Sequence, residues 1–260
     1  MSQTIVRNAP VVSVVMPTFN SSAFVAEAIG SVRAQTFEDW ELLIIDDCSA
    51  DDTVARVRDV ATGDSRIRVS ERATNGGPAR ARNQAIGMAS GRYVSFLDSD
   101  DLWYPAKLER QLGVLAAEGV PLVFSSYDVG HVSHAPDRTI VARPEVRHDD
   151  FLKGNAIGCL TAIYDTRMVG RLEMPDLRLR QDWGLWLRVL QSGHRAVGIQ
   201  EPLAFLRQRK GSITRNKLRA SYYTWRILRE EGGLGPVAAG VGVVTHVYRS
   251  LRRNFGGARV

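Results

Sequence analysis

Three acidic side chains, Asp98, Asp100 and Asp101, follow directly on an apolar run within residues 92–104, RYVSFLDSDDLWY. Tyr93, Val94, Phe96 and Leu97 have the composition of a buried strand, which puts the carboxylates at its carboxyl end. Like charges crowded there repel by about 4 kcal/mol per close pair at an effective dielectric of about 20, so a positive group is needed among them. Ligands of open α/β sheets bind outside the carboxyl ends of the strands, and a hard divalent cation with oxygen ligands suits that place. The rival reading is an acidic helix N-cap followed by Pro105 in the first turn.

Other acids point the same way. Asp46 and Asp47 end a second apolar run, WELLII. Asp182 opens the segment RQDWGLWLRVLQSG, whose Trp183, Trp186, Leu187 and Leu190 share a helical face; as a helix-start carboxylate it is also favoured by the macrodipole alone. In FLRQRKGSIT, residues 205–214, three cations and two hydroxyls crowd a loop that could clamp a diphosphate. His131, His134 and His148 are scattered through a polar, loop-like stretch and read as solvated. Cys48 and Cys159 make neither a disulfide framework nor a four-ligand zinc site. Cys48 has no basic neighbour in sequence to activate it.

These residues need a scaffold. VVSVVM, residues 11–16, reads as a central parallel strand covered on both faces, broken by Pro17, Thr18, Phe19 and Asn20. Apolar positions 24, 25, 28, 29 and 32 predict a crossover helix. WELLII is the second strand, Ser49 and Asp52 have capping-box spacing, and Ile67–Val69 reads as a third strand. The turn Asn75-Gly76-Gly77-Pro78 opens a helix carrying Arg80, Arg82 and Asn83 that stops at Gly91. Such alternation predicts βαβ units and a parallel sheet. Neither the dinucleotide fingerprint nor a phosphate loop is spelled by the glycines. A helix after Pro105, a strand over Val120–Tyr127, a polar surface excursion over 128–150 and a strand-like segment Asn155–Tyr164 follow.

The chain has 260 residues, 44% hydrophobic and 24% charged, an ordinary globular composition long enough for a large core. Its net charge of +6 is uneven: residues 203–260 hold 12 basic and 2 acidic side chains. That asymmetry points to an anionic partner at the C-terminal end, substrate phosphates or a membrane surface, against a simple solvated tail; no nucleic-acid motif is present. Residues 234–248 are mostly apolar, too short to span a bilayer, and precede Arg249, Arg252 and Arg253, so an interfacial helix and docking on the protein's own body are both open. No apolar signal region follows Met1, and a cytoplasmic setting, peripheral on the inner face of the membrane, is expected.

VSVVMPTFN, ELLIIDDCSADDT, NGGPARARNQAIGMASGRYVSFLDSDD and RQDWGLWLRVL, in that order over roughly residues 11–214, resemble family 2 glycosyltransferases of the bacterial surface-polysaccharide subgroup. The resemblance implies an inverting enzyme with a nucleotide-diphosphate-sugar-binding A-type fold: an α/β domain with a mixed, mainly parallel sheet. Residues 1–10 would be a tail, 11–215 the domain, divided into a nucleotide-binding half (11–104) and an acceptor half (105–215), and 216–260 a helical, basic extension. It implies that Pro17, Thr18, Phe19 and Asn20 line the base pocket, that Asp47 accepts from uracil, that Asp98 and Ser99 hold ribose, and that Asp100 coordinates Mg²⁺ or Mn²⁺. Arg80 and Arg82 occupy the helix that flanks the nucleotide, with phosphate or structural duty. Asp182 matches the family's base, with Gln181, Trp183, Arg207, Arg209 and Ser212 around diphosphate or acceptor. Arg209 stands where family members often carry histidine. The donor implied is a UDP-sugar and the acceptor a polyprenyl-diphosphate-linked saccharide. In inversion one base takes the acceptor's proton while the leaving diphosphate is neutralised. A sugar nucleotidyltransferase would need a triphosphate loop that PTFNSSAF does not supply, and a phosphoacceptor signalling module would leave Asp182 without purpose.

Overall fold

The run of β-branched residues at the start of the chain forms strand β1 (Val12–Thr18), buried along its whole length. In the computed structural model, which describes residues 9–191, 193–208 and 217–255, with side chains from 220 to 247 in the last, it is followed by α1 (Val25–Arg33), β2 (Trp40–Asp46), α2 (Thr53–Ala61), β3 (Ile67–Glu71) and α3 (Pro78–Met88). Next come β4 (Tyr93–Phe96), β5 (Leu102–Trp103), α4 (Lys107–Glu118), β6 (Leu122–Gly130), β7 (Arg138–Ile140), β8 (Glu145–Arg147) and α5 (His148–Phe151). A single 3₁₀ turn (Cys159–Thr161), β9 (Ile163–Asp165), α6 (Thr166–Val169), α7 (Gln181–Leu190), β10 (Arg195–Arg207), α8 (Lys217–Glu230) and α9 (Pro236–Phe255) complete it.

The strands form one mixed sheet in the order β3-β2-β1-β4-β9-β6-β10-β5, with β7 on β6 and β8 on β10. The first four are parallel, Val12 lying opposite both Trp40 and Tyr93. β9 runs antiparallel between β4 and β6. The parallel strands alternate their apolar side chains between two cores: Val15, Leu43, Ile45, Val94 and Phe96 meet α3 and α7, whereas Val14, Met16, Leu42 and Ile44 meet α1 and α4. This two-sided burial is why VVSVVM and WELLII carry almost no polar side chains.

Helix α7 is fastened to the sheet by Trp186, whose ring meets Phe96 edge-on at 5.8 Å, and Phe96 stacks on Tyr164 at 6.2 Å. Fully burying a tryptophan of this kind contributes roughly 3–5 kcal/mol, enough to fix where α7 begins. On the other face Lys107 is wholly buried. Its Nζ donates to Ser95 Oγ at 3.0 Å and Gln111 Oε1 at 2.8 Å and lies 3.9 Å from the Trp103 ring centroid.

Several expectations change. The excursion over 128–150 is drawn into the sheet as β7 and β8, and Asn155–Tyr164 folds as a loop and 3₁₀ turn before β9, because its glycines and polar ends satisfy local bonds such as Ile157 N–H to Asn155 Oδ1. Ser49 and Asp52 do not form a capping box: Ser49 donates to Asp46, and Asp51 accepts from Thr53. Phe205–Arg207 is strand, not loop. Among the described residues no helix is long and apolar enough to cross a membrane. The C-terminal helix lies against the body, with Ala239 buried and Gly242 close to Leu228.

Candidate active site

Crossovers from β1 lead outward to β2 and β3, and the next returns past β1 to β4, so the crevice between β1 and β4 is a topological switch point. Thr18, Asp46, Asp47 and Asp98 all emerge there. Thr18 donates through Oγ1 to Asp46 Oδ1 at 2.9 Å, and Ser49 donates to both oxygens of the same carboxylate. Pro17 lies within buried β1. Asn20 takes a left-handed φ of 46° and exchanges bonds with the Asp46–Ala50 loop, its N–H to Ser49 Oγ and its Oδ1 from Ala50 N–H, both at 2.9 Å. Between them Phe19 is left 49% exposed, a ring on the lip of the crevice.

Asp47 is buried against the start of α3. Its carboxylate accepts Gly76 N–H at 2.9 Å and Gly77 N–H at 2.7 Å, and Arg72 Nε lies 3.3 Å away. Sequence reasoning missed Arg72. Nothing near it in the chain marks it; only the pairing of β3 beside β2 brings it to Asp47. Arg80, by contrast, turns outward to an ion pair with Asp176 at 2.7 Å, more than half exposed on both sides. This ion pair is the structural duty that its place on the flanking helix also allowed.

Asp98 is bound by Arg82, which is buried, and the Nε and Nη1 of Arg82 have no hydrogen-bond partner. Ser99 is buried and donates to Ser21 Oγ at 2.7 Å, so its hydroxyl serves the loop. Asp101 N–H donates to Asp98 O, closing a tight turn that leaves Asp100 half-buried at its tip. Arg207, expected as a movable clamp, is committed elsewhere: its backbone N–H donates to Asp101 Oδ1 at 2.9 Å, Nε to the Asp100 carbonyl at 3.0 Å and Nη2 to Glu27 at 2.6 Å. It therefore fixes the acidic turn. Arg209 and Ser212 lie outside the described residues.

Asp182 sits in the first turn of α7, where Asn155 Nδ2 donates to its Oδ2 at 3.0 Å. Burial raises its pKa above the ordinary carboxylate value; the charge of Arg82, the Trp183 amide, Arg180 and Asn155 oppose the rise without cancelling it. A carboxylate so placed is a stronger base than one in water. Arg82 thus acts on both Asp98 and Asp182. Gln181 is buried with its Oε1 unpartnered. Trp183 is corrected: its ring is fully buried and its Nε1 donates to Phe151 O at 3.1 Å, so it is core and cannot meet an acceptor.

Could the turn hold a cation? Among the described residues no three His, Cys, Asp or Glu side chains converge. Mg²⁺ is commonly held through one or two carboxylates plus substrate phosphates and water. A half-buried Asp100 beside a part-exposed Asp98 fits that donor set.

A mixed sheet of this order, with acidic side chains at its switch point, is that of an A-type glycosyltransferase. The chain superposes on Staphylococcus aureus TarS 1–349 in complex with UDP-GlcNAc (TM-score 0.70, 21% identity, 95% of this chain and 73% of that one). It superposes as well on the mannosyltransferase PcManGT from Pyrobaculum calidifontis in complex with GDP-Man and Mn²⁺ (TM-score 0.67, 20% identity, 97% and 77%). Residues 13–171 match the family model for glycosyl transferase family 2, and the chain belongs to that family. It is 40% identical over 222 residues to the putative teichuronic acid biosynthesis glycosyltransferase TuaG of Bacillus subtilis, spanning 85% of this chain and 88% of the relative. It is 32% identical over 218 residues to an Escherichia coli enzyme, the UDP-Glc:alpha-D-GlcNAc-diphosphoundecaprenol beta-1,3-glucosyltransferase WfgD, spanning 84% and 85%. The surface-polysaccharide subgroup expected from the motifs is thus the one its relatives represent, and the nucleotidyltransferase and signalling-module readings fall away.

Proposed function

We propose that this glycosyltransferase moves a hexose, with inversion, from a UDP-sugar to a saccharide carried on a polyprenyl diphosphate. The observation that carries the reading is Asp182, a carboxylate of raised pKa at the head of α7, held by Asn155 and separated from the Asp98–Asp101 turn by Arg82. One base and one centre of charge neutralisation are what inversion requires. Asp182 takes the proton of the attacking hydroxyl. Thr18, Phe19 and Asn20 border the base, with Asp47 and Arg72 behind them, and Asp98 faces ribose. Asp100, with Asp98 beside it, would hold Mg²⁺ or Mn²⁺, which when bound neutralises the leaving diphosphate. The named substrates of WfgD support a UDP-linked donor and a lipid-linked acceptor. Such an acceptor would be met at a membrane surface, on the inner face of which the basic C-terminal segment would keep the enzyme.

Thermal stabilisation by UDP, GDP and TDP, each with and without Mn²⁺, tests the donor side in wild type and Asp100→Asn. A ligand at 100 times its dissociation constant adds about 2.7 kcal/mol. Stabilisation by UDP that needs both Mn²⁺ and Asp100 is expected. An unchanged metal response in the variant would remove Asp100 from the metal site.

A further inference from the structure

Helix α9 has two unlike faces. Its inner face packs on the body: Ala239 is buried, Gly242 approaches Leu228, and the His246 ring lies 5.3 Å from that of Trp183. There Arg180 Nη2 donates to His246 Nε2 at 3.3 Å. Arg180 and Trp183 flank Asp182, so α9 braces the head of the helix that carries the base. The outer face is apolar and open. Val237 is 82% exposed, Val241 63%, Val244 69% and Val247 38%. Positions 237, 241 and 244 follow helical spacing.

Scattered exposed valines need no explanation, but four on one helix between 237 and 247 do. No acidic residue follows Glu231, while Arg249, Arg252 and Arg253 sit in the same helix as the stripe. An apolar stripe with cations and no anions complements an anionic lipid surface, and the helix is not one that crosses it.

We propose that the Val237–Val241–Val244 face of α9 lies in the interfacial layer of an anionic membrane and so holds the head of α7, where Asp182 lies, close to the lipid headgroups. A helix with its side chains is about 10 Å thick. The base is then roughly one helix diameter from the bilayer, within reach of a sugar on a membrane-embedded diphosphate. The choice of lipid as the partner leans on the acceptor proposed above.

The test is flotation of the full chain with vesicles of phosphatidylglycerol and phosphatidylcholine, or of phosphatidylcholine alone, beside light scattering for oligomeric state. Wild type should float with the anionic vesicles only. Val237→Asp/Val241→Asp/Val244→Asp should lose more than tenfold of that binding while keeping its melting temperature and its hydrolysis of soluble donor. Should that variant fail to fold, Arg249→Gln/Arg252→Gln/Arg253→Gln leaves the stripe intact and should lose binding at least tenfold and with it most of the salt dependence. No flotation of wild type, or equal flotation of all forms, would overturn the proposal. So would a wild-type dimer that the aspartates convert to monomer, since a second copy would then cover the stripe. Flotation reads no turnover, and donor hydrolysis in the same preparation tells a failure of the membrane surface from a failure of the enzymatic reading.

Discussion

Asn155 donates to Asp182 across the entrance of α7, at 3.0 Å, and it does so from a loop far from that helix in sequence. This bond fixes one carboxylate oxygen at the head of α7. It also sets the terms on which the base can be removed.

Asp182→Asn should lower turnover by about 10²–10⁴-fold, the usual range for a general base. It should also raise the melting temperature. The folded pKa of Asp182 lies above its unfolded value, so the native state binds more protons between the two, stability falls as pH rises through that window, and the cost persists at neutral pH. An amide removes it. In the wild type, kcat/KM should climb with pH through the raised value, since only the ionised form accepts a proton. A pH–rate profile and thermal melts of both forms check this.

Arg207→Ala should weaken binding of UDP with Mn²⁺ about tenfold, or about 1.4 kcal/mol, without unfolding the chain. It deletes the bond to the Asp100 carbonyl and the ion pair with Glu27. Glu27→Gln keeps the former and should cost under about 1 kcal/mol, as part-exposed pairs do. Ligand titrations followed by thermal shift separate the two; equal effects would mean that the Glu27 pair alone orders the turn.

Lys107 is buried, and burial drives its pKa well below the ordinary lysine value. The unfolded chain therefore binds the extra proton over the window between the folded value and the ordinary 10.5, and stability rises with pH there. Lys107→Met should flatten that rise below the ordinary 10.5. Urea midpoints at several pH values in that range report it.

Cys48 holds a φ of 68° between two pinned neighbours, Asp47 on the start of α3 and Ser49 on Asp46. A side chain in that region costs about 1–2 kcal/mol, and glycine gives back part of the gain as chain entropy. Cys48→Gly should raise stability by about 0.5–1 kcal/mol, whereas Cys48→Val should lower it. Denaturant midpoints decide.

The parallel half of the sheet was legible because strands buried on both faces must be apolar throughout; VVSVVM and WELLII could be little else. The acids ending WELLII, Asp46 and Asp47, were legible because an abrupt polar pair closes an otherwise apolar run, although both carboxylates stay buried. β10 was not. Its sequence RAVGIQEPLAFLR is interrupted by Gln200, Glu201 and Pro202, where its pairing with β6 shifts register and side chains reach solvent. Trp183 misled because an aromatic beside a site motif serves the core or the ligand with equal ease, and only its bond to Phe151 O distinguishes them. Arg72 and the Arg207–Glu27 pair rest on contacts between segments distant in the chain, of which local spacing carries no trace.

The placement of β9 between β4 and β6 bears on how the protein is made. On its outer side Ser95 lies opposite Ile163 of β9, and Arg92 closes on Asp165 at 2.6 Å. As the polypeptide leaves the ribosome, the first four parallel strands can assemble, yet the outer edge of β4 stays open until β9 has emerged. Residues 11–104 on their own would thus leave one sheet edge unpaired. A nascent chain stalled before residue 163 would display an unpaired apolar edge, the kind of surface that chaperones hold and that aggregates when they do not.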